Sequence, residues 1–155
     1  MKNKTKMAFI IIFLTTNFNR CMETHYPIYI TNNSDHSIGY LLCLGGNTCC
    51  YPDTILPRTN FSVFKNIMSG RKQSIALEFE WEKVILELPK DTLSVFIFHT
   101  DILNKYDWEE VRDNYMILRR YDLSLEDLKL LKRSIPFPPT EAMKDIKMYP
   151  PYGSE

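Results

Sequence analysis

Three histidines, four cysteines and a scatter of carboxylates are the residues of this 155-residue chain that could carry chemistry. His25, His36 and His99 lie in unrelated contexts, and none belongs to an HExxH or similar metal-binding spacing. His99 stands two residues before Asp101 at the end of an apolar run. A histidine base, an orienting carboxylate and a cysteine thiol are the parts of a nucleophilic site. Set against that, a strand-end histidine is ordinarily satisfied by its local surroundings. Glu109, Glu110 and Asp113 with Glu82 offer carboxylates for acid–base work, although solvated helix faces account for them equally. Cys43, Cys49, Cys50 and His36 are ligand types that zinc accepts, but the paired CxxC spacing is missing, so no metal is expected. No GxSxG elbow or phosphate-cradling glycine loop occurs, and no cofactor is expected.

The cysteines read more naturally in terms of compartment. Lys2, Lys4 and Lys6 precede the apolar run Met7 to Leu14, the order and lengths of a secretory signal. Eight apolar residues fall well short of the roughly 20 that span a bilayer. Cys21 follows seven residues after Leu14, where a bacterial lipoprotein carries its acylated cysteine. Phe18, Asn19 and Arg20 depart from the small residues that usually precede such a cysteine, which leaves an uncleaved signal as the competing reading. In an oxidising envelope Cys43 could bridge to Cys49 or Cys50 across the Gly45–Gly46 turn, leaving an odd thiol.

A site needs elements to position it. Ile28 to Ile30 and Ser37 to Leu44 read as strands, joined as a hairpin by Asn32, Asn33, Ser34 and Asp35. Phe61 to Phe64 is the next strand, and Ser69 to Lys72 an exposed turn. Trp81, Val84, Ile85 and Leu88 share one helical face, predicting a helix over about 80–88 that Pro89 ends. The run Leu93 to Phe98, apolar but for Ser94, predicts a central strand buried on both faces. Asp107 with Glu110, and Ser124 with Asp127, have capping-box spacing and predict helices over about 108–113 and 125–132, with a strand over 115–121 between them. Pro136, Pro138, Pro139, Pro150 and Pro151 predict an extended tail.

The expected architecture is α+β. One domain is built on a mainly antiparallel or mixed β-sheet with about three short helices, and a β-sandwich with helical decorations is the alternative. The expected boundaries are a signal at 1–20, a tether at 21–26, the domain at 27–135 and the tail at 136–155. A composition of 45% hydrophobic and 25% charged residues fits one folded domain and excludes a disordered or fibrous chain. The chain is formally neutral, but its first twenty residues hold four basic groups and no acid. The remainder, with 15 basic against 19 acidic groups, carries −4, which gives no reason to expect a nucleic-acid partner. The densest basic group, Arg119, Arg120, Lys129, Lys132 and Arg133, is interrupted by acids and reads as a solvated face.

The segments Tyr51-Pro52-Asp53-Thr54, Asp91 to Phe98, Arg120 to Leu128, Pro138 to Lys144 and Lys147 to Tyr152 together resemble a group of small lipoproteins of Bacteroidales-type bacteria, over about 26–152. The resemblance implies an envelope location, on the outer membrane, and brings no activity, cofactor or catalytic residue. It also implies O-glycosylation at Asp-Thr followed by an aliphatic residue, a pattern that Thr54 and Thr92 match. Turn and strand-start roles explain the same residues. The expected protein is thus a non-catalytic envelope lipoprotein, anchored to the membrane through lipid on Cys21, whose exposed aromatic residues bind a protein or glycan partner. The alternative is a small envelope hydrolase with a Cys/His or carboxylate site.

Overall fold

A computed structural model describes residues 26–45, 51–60 and 63–154. The signal, Cys21, His25, Cys49 and Cys50 lie outside the described residues.

The apolar run forms β5 (Leu93–His99), the middle strand of a five-stranded sheet. Its neighbours are β2 (Ile38–Cys43) and β6 (Arg119–Leu123), both antiparallel to it. Beyond these lie β3 (Val63–Ile67) and β8 (Lys147–Tyr149) as edges. Because successive strand residues face opposite ways, Leu93, Val95 and Ile97 enter one apolar cluster while Phe96 and Phe98 enter another. A sheet with both faces buried explains why this segment shows no polar alternation.

The larger cluster is closed by a second sheet, in which β1 (Ile28–Asn32) pairs antiparallel with β4 (Lys72–Ile75) and parallel with β7 (Ser134–Phe137). The helices α1 (Trp81–Leu86) and α4 (Leu125–Leu130) complete it through Trp81, Ile85 and Leu128. On the other face, α2 (Thr100–Lys105), α3 (Trp108–Asp113) and the connector at 51–60 cover Leu41, Phe96 and Phe98. The fold is therefore α+β, a single domain with antiparallel and mixed sheets and, among the described residues, four short α-helices.

The expected hairpin does not form: β1 and β2 are both strands, yet they belong to different sheets. Asn32 makes the crossing. Its fully buried amide donates to the His36 and Ile67 carbonyls at 2.7 and 2.8 Å and accepts from the Ser34 amide and hydroxyl at 3.0 and 2.6 Å. These four bonds satisfy the side chain and lock the chain as it leaves one sheet for the other.

Of the two helix starts with capping-box spacing, one is capped as that spacing predicts. Ser124 and Asp127 form the reciprocal capping box of α4, whereas Asp107 precedes α3 without a side-chain cap bond. Residues 136–155 are more than an extended tail, since they complete β7 and supply β8, adding a strand to each sheet.

Candidate functional site

Strand register separates the groups that a nucleophilic site would need. Ile38 lies opposite His99 and Cys43 opposite Ser94. His99 and Cys43 are therefore five strand residues apart, roughly 16 Å. Cys43 is also disulfide-bonded, with its partner outside the described residues. The same register puts His36 at the far end of β2 from Cys43, so the set of His36 and cysteines considered for zinc is not assembled. Among the described residues no group of three or more His, Cys, Asp or Glu is placed to hold a metal.

The carboxylates are dispersed as well. Glu82 is on α1, beside the larger core, and pairs with Arg133. Glu109, Glu110 and Asp113 are on α3, across the five-stranded sheet, where Arg112 takes Glu109 and Asp113.

The structure brings His99 to a different partner. Its ring stacks on His36 with centroids 4.4 Å apart and an interplanar angle of 11°, and Phe137 meets His36 edge-on at 6.2 Å. His99 Nδ1 accepts the Asp101 amide at 3.1 Å, capping α2. His36 Nδ1 lies 2.9 Å from the Asp35 carboxylate, and this hydrogen bond holds the Asp35 pKa below its ordinary value. The stack has one imidazole tied to backbone and the other to an exposed carboxylate.

The basic group expected as a solvated face is instead divided, because adjacent strand residues point to opposite sides of β6. Arg120 points toward the helical layer. Its Nε is 3.3 Å from the carboxylate of Asp122, whose side chain is 1% exposed, and Nη1 donates to the Tyr115 hydroxyl at 2.8 Å. Ser94 donates to Asp122 at 2.7 Å. Burial raises the Tyr115 pKa, while Arg120 and the Thr54 hydroxyl act against that rise. Tyr115 holds φ +50°, a left-handed conformation usually left to glycine where a helix ends. Every polar member of this network is engaged, as expected of a structural network.

Thr54 and Thr92 differ in setting. Thr54 sits in an irregular segment between exposed Asp53 and exposed Ile55. The Thr92 hydroxyl donates to the Lys90 carbonyl at 2.8 Å and is followed by fully buried Leu93.

Arg119, on the side of β6 that faces the larger core, reaches the end of the gap between the two sheets. There a cleft of about 570 Å³ is lined by His36, Arg119, Phe137, Pro138, Pro150 and Tyr152 among others. Arg119 Nη1 donates to the Pro150 and Pro151 carbonyls at 2.5 and 3.1 Å, and Nη2 reaches the Ser154 carbonyl at 3.5 Å. No carboxylate pairs with Arg119 among the described residues. Two buried side-chain nitrogens among them have no hydrogen-bond partner, His36 Nε2 and Arg119 Nε, and both residues line this cleft. Buried polar groups are ordinarily paired, and an unmade bond costs about 1–3 kcal/mol. Sequence reasoning had no means of finding this site, because it joins positions 36, 119, 137 and 152. The only local trace is Arg119 next to Arg120, whose opposite fates follow from strand alternation.

No helix among the described residues is long and apolar enough to cross a membrane. In comparisons with known proteins, no family model, no curated protein and no solved structure matches the chain.

Proposed function

We propose that this chain is an exported envelope protein, anchored through lipid on Cys21, that binds a partner without turning it over. The observation that carries the binding reading is the cleft between the sheets, with its aromatic and proline walls and a guanidinium that, among the described residues, pairs with no carboxylate. Export is supported by the lysine-led apolar opening, by the resemblance to envelope lipoproteins, and by the disulfide at Cys43, a bond that persists in oxidising compartments. The non-catalytic reading is supported by the way the fold distributes the candidate groups. His99 stacks on another imidazole far from Cys43, the Cys43 thiol is consumed in a disulfide, and the carboxylates occupy opposite faces of a sheet.

Anchoring is tested by metabolic labelling with a clickable fatty acid. The wild-type chain is expected to carry the label in the membrane fraction and Cys21→Ala to lose it. Label retained by the variant, or a full-length cytoplasmic wild-type product, contradicts the anchor.

A further inference from the structure

A smaller pocket lies on the helical face of the five-stranded sheet, where α2 and α3 meet the connector at 51–60. Its volume is about 240 Å³. Sites for drug-sized molecules run to roughly 300–1,000 Å³, so this one suits a ligand of monosaccharide size. Its base is apolar and fixed. Leu103 and Val111 are buried in the smaller cluster, and the half-buried Trp108 donates its indole N–H to the Pro57 carbonyl at 2.8 Å and meets Phe98 edge-on at 5.8 Å. The surface the pocket offers to a ligand is nevertheless nearly all polar. Asn60 comes from the connector, Asn104 from the last turn of α2 and Asp107 from the residue before α3. All three are exposed, so their side-chain oxygens and nitrogens are within reach of a ligand. The Asp107 carboxylate takes no hydrogen bond from the start of α3.

These groups select their ligand by type. An ionised carboxylate only accepts hydrogen bonds, whereas each carboxamide both donates and accepts. A row of hydroxyls is the complementary pattern, because every hydroxyl does both. An anion is disfavoured, since residues 100–114 carry five acids against two bases. A hard metal ion is disfavoured as well. It is held by six or more oxygens, several of them carboxylate, and Asp107 is the one carboxylate among the described residues lining the pocket. We propose that this pocket binds one neutral hexose residue, two adjacent hydroxyls donating to the Asp107 carboxylate and others bonding the Asn60 and Asn104 amides. The packing of Trp108, Leu103 and Val111 beneath them holds the two helix ends that carry Asn104 and Asp107, so the polar groups are set before the sugar arrives. This site is separate from the cleft between the sheets, and neither depends on the other.

The test is an amide NMR titration of the isotopically labelled full-length protein with glucose, galactose and mannose, and with glucuronate and calcium as comparison probes. At least one hexose is expected to give saturable shifts centred on the amides of residues 100–111 and on the Trp108 indole, with a roughly millimolar Kd. Glucuronate is expected to bind more weakly than that hexose. Asp107→Asn keeps the shape of the side chain and removes no helix cap, and it is expected to weaken the hexose roughly tenfold. Asn104→Ala is expected to weaken it several-fold. No saturable shift with any of the three hexoses, equal affinity for glucuronate, or full affinity in Asp107→Asn overturns the assignment. So does a response to calcium alone, which would make the pocket a cation site. Shifts centred instead on Phe137 and Tyr152 also overturn it, and would assign the sugar to the cleft between the sheets.

Discussion

Ile97→Asp is expected to abolish cooperative folding. Ile97 is fully buried at the centre of β5, with Tyr40 opposite on one side and Arg119 opposite on the other, and it faces the larger core. A carboxylate placed there loses its hydration, and the cross-strand Arg119 is already committed to the Pro150, Pro151 and Ser154 carbonyls. The cost of several kcal/mol is comparable with the whole stability of an ordinary domain, roughly 5–15 kcal/mol. Phe96→Asp should act alike through the second cluster, because β5 is buried on both faces. The check is thermal unfolding followed by circular dichroism. A cooperative transition near that of the wild type in both variants contradicts this placement of β5.

The second large effect concerns Asp122. Its carboxylate is held by Ser94 and Arg120 beneath the helical layer, and Asp122→Ala leaves the Arg120 guanidinium, 11% exposed, without its counter-charge. Breaking a buried pair in this way costs about 3–5 kcal/mol, whereas replacing both partners by apolar groups can be nearly neutral. Asp122→Ala is therefore expected to fall by that amount in chemical denaturation, and Arg120→Met with Asp122→Leu to recover most of it. A loss below about 1 kcal/mol in the single variant, or a double variant no better than the single, contradicts the pairing.

These two variants mark the boundary of what the sequence could show. Leu93 to Phe98 was legible because five apolar residues in six, interrupted by Ser94 alone, permit little else than a strand buried on both faces. The helix at 108–113 was legible from Trp108 and Val111 behind an acidic start, and α4 from Ser124 and Asp127. By contrast, α2 is a single polar stretch, Thr100–Lys105, with too few apolar residues to show a helical period. The strand expected over 115–121 begins only at Arg119, because Tyr115 turns the chain in a left-handed conformation after α3. The false hairpin has a deeper cause. Asn32 to Asp35 are turn formers, but whether β2 returns beside β1 depends on partners more than thirty residues away, Ile67 and Arg71, that hold Asn32. The tail misled for a related reason. Prolines forbid helix and central strand, yet they tolerate an edge, and β7 and β8 are both edges.

The cleft was the least legible feature, since its residues come from four separated segments and its character depends on which atoms lack partners. Arg119 and Arg120 show the principle on neighbouring positions. Strand alternation sends one guanidinium to a buried carboxylate and the other to a cleft, where its partners among the described residues are carbonyl oxygens.

The central claim, binding at this cleft without turnover, is tested most directly by mass spectrometry of what the protein retains. Oligosaccharide fragments from a native bacterial envelope are passed over immobilised full-length protein, eluted, and weighed against the input. The account predicts that a subset of fragments is enriched, that they emerge with unaltered masses however long they stay bound, and that Tyr152→Ala, on the wall of the cleft, lowers their retention. Fragments shortened by the wild-type protein and left whole by His99→Ala would contradict it, as would retention that Tyr152→Ala leaves unchanged.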